Sequence, residues 1–441
     1  MSERFKASLP LERLLSPVES AAFFRDSWEK RPLAVHRRQT DYYADLLSMR
    51  DVDEIVAFTR PKFAEPEGFS SSTYIRGLPA DSPAAANAAS LGTAQVRQAF
   101  DQGKSIVIMA MQQRRGAVAA LCRGLETTFG CPVHANMYLT PQGSQGFAAH
   151  FDSHEVFVLQ LEGGKHWRLF DAAEELPLAN STGELRRRPA GVPRDVRLEA
   201  GDLLYIPRGH VHEAFAAERA SLHLTVGVNV YRWVELLHHA LSLAAEQDKR
   251  FRESIPGGAL LGDKAEIKAN FEQLLGALAS RASAEGFFDR AAESLGDQFF
   301  GQLKMLPGSQ FAAEFDLDRI ALDSVLEKSP HALCRVVEKA DGAAIEFPGN
   351  RVGGPQRIGA ALRFIARATR FEVRELPDDL NADGKLVLAR RLVREGLLSV
   401  VDAPAAMCAD RADEVHQATA KQMRPRGEAR RVRRAEAAAE S

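Results

Sequence analysis

The spacing of apolar residues changes several times along the chain. Apolar positions at helical spacing predict short helices over 17–28 and 51–58 and a longer one over 116–129. The apolar run at 105–111 predicts a first central strand. The amino-terminal part is therefore predicted to be mostly helical.

Between residues 133 and 230, short alternating segments are separated by turn residues. A strand is predicted over 133–139, and the segment 156–161 followed by Glu-Gly-Gly-Lys predicts a strand, a tight turn and a second strand. Many short strands with Gly and Pro at the bends are typical of β barrels and sandwiches. This stretch is predicted to form such a barrel.

Beyond residue 230 the apolar period becomes helical. Three helices are predicted over 233–248, 264–282 and 287–306, and a helical block of this size beside a barrel often covers an interface. Farther on, short strands and two helices over 355–370 and 381–395 precede a last strand, which predicts a winged helix.

These patterns predict an α+β chain in four parts. They are a barrel domain with amino-terminal helices over 1–230, a helical domain over 231–328, a winged-helix domain over 329–402, and a tail over 403–441. The tail is rich in Ala, Arg and Glu and is expected to be disordered.

Composition narrows the setting. At 441 residues, 45% hydrophobic and 26% charged, the chain has the balance of an ordinary soluble protein, and a net charge of -2 argues against a surface devoted to nucleic acid. The basic run at 424–434 is either a solvated tail or a contact for RNA or ribosomes. No signal peptide or membrane-length apolar run is evident, so a cytoplasmic protein without a membrane partner is expected.

The cysteines also favour a cytoplasmic protein. They lack CxxC spacing, which indicates reduced, inert thiols rather than disulfides or a catalytic nucleophile. The four are Cys122, Cys131, Cys334 and Cys408.

The candidate chemistry lies in the predicted barrel. His150 and Asp152 are two positions apart, so a strand would project both from one face, and His212 follows a Gly-Asp-Leu-Leu-Tyr-Ile-Pro turn farther along. Two imidazoles and one carboxylate on one side of a metal are typical of non-haem Fe(II) oxygenases. A structural His–Asp pair is the alternative, and His154 and His210 are rival ligands.

Lys165 extends this interpretation. Fe(II) bound by three protein groups keeps positions for a bidentate 2-oxo acid and for dioxygen (O2). The far carboxylate of such a co-substrate needs a cation, and Lys165 lies one hairpin from the metal ligands. The alternative is an ordinary lysine on a surface hairpin.

Several sequence blocks resemble the JmjC ribosomal oxygenases, a family of 2-oxoglutarate-dependent protein hydroxylases. In the predicted barrel these blocks are 136–141, 144–152, 157–165 and 201–209, and the resemblance extends outward to 14–17, 28–33 and 386–396. The resemblance thus covers nearly the whole chain except the tail. It implies a double-stranded β-helix, the cupin or JmjC jelly-roll barrel, with a helical dimerisation domain that makes a homodimer and a carboxy-terminal winged helix.

The resemblance also implies roles for particular residues. His150, Asp152 and His212 match the ligands of the catalytic Fe(II), and Lys165 matches the partner of the far carboxylate of 2-oxoglutarate. The implied substrate is a histidine or arginine side chain of a ribosomal protein.

Substrate contacts are implied on two strands. Asn136 and Tyr138 match residues that hold the substrate peptide in the histidyl-hydroxylating branch. At Gly227 that branch has a serine that helps to orient the target imidazole, so this chain departs from the pattern. Thr225, on the same strand face, could supply a hydroxyl in its place, and we also assign it to the co-substrate side of the site.

The predicted winged helix carries both charges. Acidic residues closely precede basic ones, which favours contact with protein over contact with DNA and leaves nucleic-acid binding undecided. The basic residues are Lys385, Arg390, Arg391 and Arg394, and the acidic ones are Asp378, Asp379 and Asp383.

Two other functions compete with the hydroxylase. One is a non-catalytic, dimeric regulator that binds ribosomes or nucleic acid and retains the barrel as a scaffold. The other is a JmjC N-methyl demethylase, which applies the same oxidation to a methyl group. Because a scaffold needs neither a three-ligand set nor Lys165, the sequence favours an enzyme.

Overall fold

The computed structural model describes residues 10–59, 73–75, 93–178, 191–216, 218–262, 264–304, 317–328, 332–340 and 342–402. The chain divides into two compact units, Met1–Pro307 and Gly308–Ser441. The predicted boundaries at residues 230 and 328 remain predictions. The predicted tail, with its basic run and Cys408, lies outside the described residues.

Helices of the first unit lie before and after its strands. They are α1 (Pro10–Leu15), α2 (Ser20–Asp26), α3 (Met49–Thr59), α4 (Thr93–Asp101), α5 (Gly116–Phe129), α6 (Trp233–Gln247), α7 (Ala265–Ala282) and α8 (Phe287–Gln302). The helices predicted over 51–58 and 116–129 are confirmed, and so are the three beyond residue 230, although the last ends at Gln302 and not at the predicted residue 306. The helix predicted over 17–28 begins only at Ser20, because Pro17 has no N–H to donate and interrupts the helical path after α1.

Strands of the first unit number eleven among its described residues. They are β1 (Leu33–Val35), β2 (Thr73–Ile75), β3 (Ile106–Ile108), β4 (Val133–Thr140), β5 (Gln145–His150), β6 (Glu155–Glu162), β7 (Gly164–Ala172), β8 (Arg194–Glu199), β9 (Leu203–Ile206), β10 (His210–Phe215) and β11 (Ser221–Val228).

These strands form two antiparallel sheets. The seven-stranded sheet has the order β1-β9-β6-β11-β4-β3-β2, and the four-stranded sheet has the order β5-β10-β7-β8. Apolar side chains from both sheets, including Val158, Leu204, Trp167 and Leu198, form one buried cluster between them. The predicted barrel is therefore confirmed as a two-sheet, antiparallel structure.

The two faces of the seven-stranded sheet have different neighbours. On β4 and β11, Met137 and Leu224 project outward into the large core that also contains Leu15 and Leu125 from α1 and α5. Because side chains alternate along a strand, the residues between them project into the barrel. On β4 these inward residues are His134, Asn136, Tyr138 and Thr140.

A buried polar network joins the amino-terminal segment to the barrel. The Tyr205 hydroxyl accepts a hydrogen bond from the backbone N–H of Glu29 (2.9 Å) and donates to Glu155. Arg208 forms ion pairs with Glu29 (2.5 Å) and Glu155 (2.6 Å). Since an unpaired charge at this depth would be costly, the network fixes where the segment enters the fold.

The second unit contains two small sheets and two longer helices. Its helices are α9 (Gly359–Arg367) and α10 (Ala382–Arg394), and its strands are β12 (Val325–Lys328), β13 (Arg335–Lys339), β14 (Gly342–Phe347), β15 (Asn350–Gly354), β16 (Arg370–Glu372) and β17 (Leu398–Asp402). The sheets have the orders β16-β12-β17 and β13-β14-β15.

Two elements of this unit differ from the predictions. The helix predicted over 355–370 ends at Arg367, because the chain then extends into β16 and pairs with β12. Residues 325–328, predicted to belong to the helical domain, form β12 itself. Sheet pairing between distant segments determines both, and local periodicity does not report it.

Across the described parts of the chain, helices fall short of the length and apolarity that a bilayer crossing requires.

Candidate functional site

The candidate metal centre forms where two neighbouring strands pair. His150 on β5 lies directly opposite His212 on β10, and their ring centroids are 4.5 Å apart. The Asp152 Oδ2 lies 3.5 Å from the His212 Nε2. One ligand atom from each of the three residues lies within 4.8 Å of the others. The three residues predicted from the sequence are thus brought together.

Asp152 reaches this centre from a loop. β5 ends at His150, so the expectation that one strand carries both side chains is wrong. The loop is held by a hydrogen bond from the Gly209 N–H to the Asp152 carbonyl (2.9 Å). Gly209 has φ +86°, and a Cβ there would lie 1.9 Å from the carbonyl oxygen of Glu174, so only glycine fits this turn.

Both histidines present the same ring nitrogen to the centre. The His150 Nδ1 lies 2.8 Å from the carbonyl oxygen of Ala148, and the His212 Nδ1 lies 3.1 Å from that of His210. Carbonyl oxygens only accept, so each Nδ1 carries the hydrogen and each Nε2 keeps its lone pair. This backbone support is typical of metal-binding histidines.

The charge states also suit a metal ion. Burial lowers the pKa of His212 to about 4, with His150 adding to the effect, so the imidazole is neutral near pH 7. Burial works to raise the pKa of Asp152, but His154 and the other nearby imidazoles hold it below its usual value. Two imidazoles and a carboxylate form a set of donors that fits a divalent metal.

The rival histidines stand outside this group. Among the described residues, His150, Asp152 and His212 form the one group of three whose ligand atoms come this close. The ring of His154 instead packs beside His134, with centroids 4.9 Å apart.

Lys165 is buried inside the barrel. Its side chain on β7 leaves the residue 3% exposed, which excludes the surface-lysine alternative. Its Nζ donates to the Thr140 Oγ1 (3.0 Å), which also accepts from the Ser105 hydroxyl (3.2 Å). Burial lowers the pKa of Lys165 to about 7, and no described carboxylate pairs with it. An ammonium in this position needs an anion.

Two buried ring nitrogens beside Lys165 have no hydrogen-bond partner in the part of the chain that the structure describes. They are the Trp167 Nε1 and the His223 Nδ1. The Lys165 Nζ lies 5.9 Å from the centroid of Trp167, whose ring packs against His223 at 5.7 Å. Buried polar groups are rarely left unpaired, so this pocket fits the carboxylate of a bound acid.

Trp167 joins this pocket to the metal centre. Its ring centroid lies 6.0 Å from that of His212, so one small molecule could contact both places. The pocket also contains three residues that were not predicted from the sequence to belong to the site: Thr140, Trp167 and His223. A signal was present, since Trp167 shares the inward face of β7 with Lys165, and Thr140 shares that of β4 with Asn136.

The predicted substrate residues line the same interior. Asn136 lies opposite Thr225 across the β4–β11 pairing, and its Oδ1 accepts a hydrogen bond from the Ala110 N–H (3.0 Å). Tyr138 stacks on His223 with centroids 4.9 Å apart and an interplanar angle of 5°. The hydroxyl that contacts Lys165 belongs to Thr140, while Thr225 lies farther along β11.

Gly227 is enclosed by imidazoles. A Cβ at this position would lie 2.5 Å from the His134 Nε2 and 3.0 Å from the His154 Nε2. The space that a serine side chain would need is therefore filled by His134.

Two thiols of the first unit lie away from this site. Burial raises the pKa of Cys131 to about 12, and that of Cys122 also rises. Neither forms a reactive thiolate near neutral pH, as predicted.

Comparison with known proteins places these features in a family context. The JmjC domain matches residues 109–236, which include every predicted site residue. Ribosomal oxygenase 1 of Danio rerio is 35% identical over 264 residues, or 58% of this chain and 48% of the relative. The bifunctional lysine-specific demethylase and histidyl-hydroxylase NO66 of Dictyostelium discoideum is 31% identical over 347 residues, or 76% of this chain and 63% of the relative.

Solved structures agree on the fold. The ribosomal oxygenase YcfD of Escherichia coli, solved with cobalt and 2-oxoglutarate, superposes with a TM-score of 0.52 at 17% identity, covering 88% of this chain and 99% of YcfD. The chain spans about half the length of the Danio rerio relative and of NO66 from Drosophila persimilis, at 48% and 50%. The chain contains a JmjC domain and is a homologue of the ribosomal oxygenase 1 and NO66 proteins.

Proposed function

We propose that this protein is an Fe(II)- and 2-oxoglutarate-dependent oxygenase that hydroxylates a histidine or arginine side chain of a ribosomal protein. One observation carries the proposal. Lys165 is buried and has no carboxylate partner among the described residues, and it lies inside the same barrel as two histidines and an aspartate at metal-binding distances. A non-catalytic scaffold would gain nothing from burying that charge.

The names of the similar proteins support this choice. Two of them are called ribosomal oxygenase 1 and bifunctional lysine-specific demethylase and histidyl-hydroxylase NO66, and the fold neighbour YcfD was solved with 2-oxoglutarate. We also propose a cytoplasmic location, because ribosomal substrates would place the protein with ribosomes.

The residues divide the work between them. His150, Asp152 and His212 would hold the Fe(II), which with 2-oxoglutarate and O2 supplies the oxidising power to insert one oxygen atom into a C–H bond. Lys165 would pair with the far carboxylate of 2-oxoglutarate and fix the direction in which the acid binds.

Apolar side chains lie beside the pocket at Lys165. Val158, Leu204 and Leu198 are fully buried between the sheets, in the same cluster as Trp167. In such surroundings the attraction between Lys165 and a carboxylate is stronger than in water.

Conversion of 2-oxoglutarate to succinate by the Fe(II)-loaded protein in air tests the proposal. We expect the wild-type chain to form succinate and the Asp152→Ala variant to form none. The matched control is His166→Ala, which removes an imidazole from the outward face of β7, where it stacks on Phe215. A wild-type protein that forms no succinate but binds ribosomes tightly would support the regulator instead. Loss of a methyl group from the substrate would identify a demethylase.

The homodimer is also part of the proposal. Trp233, Leu237 and Leu241 form an exposed apolar stripe on α6, and Trp233 is 79% exposed. Phe271 and Leu275 form a second stripe on α7. Exposed apolar surface of this extent is typical of an interface. Sedimentation should show a dimer that Leu237→Glu dissociates, and a monomeric wild-type protein would contradict it.

The carboxy-terminal unit is proposed to be a winged helix that contacts protein. Most of its predicted basic residues are engaged within the unit. Lys385 pairs with Asp378 (2.7 Å), Arg391 pairs with Glu395 (2.6 Å), and Arg390 donates to the carbonyl of Ile320 (3.0 Å). These contacts leave less positive charge for phosphates, so binding to a DNA duplex should be weak.

A further inference from the structure

A second group of polar residues lies at the end of β4 opposite Lys165. His134 projects into the barrel, and the Cε1–Nε2 edge of its ring covers Gly227 on the neighbouring strand. The ring of His154, two residues beyond Asp152, lies 4.9 Å away. His134 is therefore close to the candidate metal centre but separate from its ligands.

The orientation of His134 is set by Asn229. The Asn229 Nδ2 lies 3.0 Å from the His134 Nδ1 and 3.4 Å from the carbonyl oxygen of Pro132. Because a carbonyl accepts, the amide nitrogen is the group that faces both atoms, and it donates to Nδ1. Nδ1 is thus an acceptor, and the hydrogen of the neutral ring lies on Nε2. Burial, with His154 adding to it, lowers the pKa of His134 to about 3, which keeps the ring neutral.

Asn136 adds a second donor on the same strand face. Its Oδ1 already accepts the N–H of Ala110, which leaves the Nδ2 to donate into the barrel. Along this face the Asn136 Oδ1 already accepts a hydrogen bond, while the Asn136 Nδ2 and the His134 Nε2 remain as donors. A ligand that matches them needs acceptor atoms, which a neutral imidazole or an amide has and a guanidinium or ammonium lacks.

We propose that His134 binds the substrate by donating a hydrogen bond from Nε2 to an acceptor atom of the target side chain. Asn229 orients the His134 ring, and the absence of a side chain at Gly227 leaves room for it. The inference rests on the proposed oxygenase function and narrows its substrate. It selects an imidazole or amide side chain over arginine or lysine.

Steady-state kinetics on ribosomes from cells that lack this protein tests the role of His134. His134→Leu should raise the KM for ribosomes about 5- to 10-fold, the cost of one hydrogen bond, and leave kcat unchanged. His134→Gln keeps an N–H donor and should recover most of the affinity. His166→Ala is the control for loss of an imidazole elsewhere on the barrel.

Gly227→Ala tests the same contact from the other strand. Its methyl group would displace the flexible ring of His134, so this variant should raise the KM as much as His134→Leu does. Because both changes remove one contact, the double variant should be no worse than either alone.

Two further readouts separate binding from folding. Circular dichroism should show the same folded structure in all of these variants, and peptide mapping should find the added oxygen on histidine or asparagine. An unchanged KM in His134→Leu, an equal rise of the KM in His166→Ala, or oxygen added to arginine would overturn the inference. A wild-type protein that forms no succinate would overturn the proposed function, and this inference with it.

Discussion

The two faces of β4 and β11 differ in what their side chains contact, although both faces belong to the same two strands. Outward, Met137 and Leu224 are fully buried among other apolar side chains, and any well-packed hydrophobic residue of similar size would serve there. Inward, His134, Asn136 and Thr140 each make a specific polar contact. The outward face thus stabilises the fold, while the inward face carries groups chosen for binding.

The comparison explains why unpaired polar atoms are informative here. The outward face contributes free energy through apolar burial, about 25 cal/mol per Å². The inward face lines an interior that gives up part of that stability, because it buries the ammonium of Lys165 and two ring nitrogens, of Trp167 on β7 and His223 on β11, that have no partner among the described residues. A bound ligand that pairs with these polar groups would compensate the loss of stability. Inward variants should therefore change ligand affinity, and outward variants should change the free energy of unfolding.

The largest effect is expected at the metal centre. His212→Ala removes one of three ligands and should lower metal affinity more than about 100-fold, since loss of even a supporting contact costs 10- to 100-fold. Metal content after dialysis against Fe(II) or Mn(II) under anaerobic conditions measures it. His166→Ala should retain full metal content, and a His212→Ala protein that still binds one metal per chain would contradict the assignment.

An outward-face variant should show the opposite behaviour. Leu224→Ala removes a fully buried side chain and should lower the free energy of unfolding by about 2–5 kcal/mol. Denaturant unfolding measures this loss, while metal and 2-oxoglutarate affinities below the transition should stay at wild-type values. Weaker binding at full folding would show that the two faces are not independent.

Lys165→Met should separate stability from binding. The affinity for 2-oxoglutarate should fall about 10- to 100-fold, because a charged hydrogen bond is lost. The free energy of unfolding of the ligand-free protein should rise, because a buried charge is replaced by an apolar side chain of similar length. Anaerobic calorimetry on the Mn(II)-loaded protein and thermal unfolding measure the two effects. Destabilisation without loss of affinity would make Lys165 a structural residue.

A smaller effect should appear as a function of pH. The pKa of Lys165 is lowered to about 7 without ligand, and a bound carboxylate would raise it. Above pH 7 the complex therefore holds a proton that the free protein has lost, so binding takes up a proton. The affinity for 2-oxoglutarate should fall as pH rises from 7 to 9, by at most about tenfold per pH unit. Lys165→Met should lose this dependence, and a wild-type affinity that is flat over this range would contradict it.

Lys165 also makes the free energy of unfolding of the ligand-free protein depend on pH. Because the folded-state pKa of Lys165 lies below the value of the unfolded chain, the ligand-free protein is penalised most below pH 7. Its free energy of unfolding should gain a contribution from this group as pH rises from 7 towards 10. Comparison with Lys165→Met in denaturant unfolding isolates it, and identical pH profiles would contradict the assignment.

Much of this division could be predicted from the sequence. The helix Gly116–Phe129 and the strand Val133–Thr140 follow from local periodicity, and the alternation along β4 already separates inward from outward residues. The candidate metal ligands follow from the two-residue spacing of His150 and Asp152, the turn before His212 and the family resemblance, and Lys165 follows from its place one hairpin from them. These features depend on short stretches of chain.

The parts that escaped prediction depend on which strands become neighbours. Asp152 reaches the centre from a loop because Gly209, far along the chain, holds its carbonyl. Thr140 contacts Lys165, and His134 covers Gly227, through pairings that no local pattern reveals. Sequence periodicity assigns side chains to a face, but the register between strands decides which of them meet.

Peptide mass mapping of ribosomal proteins tests the central claim most directly. Ribosomes from cells that contain the wild-type chain should be compared with ribosomes from cells that lack it and from cells that carry Asp152→Ala. The account predicts one ribosomal side chain that gains a single oxygen atom only with the wild-type chain. Identical peptide masses in all three preparations would contradict it.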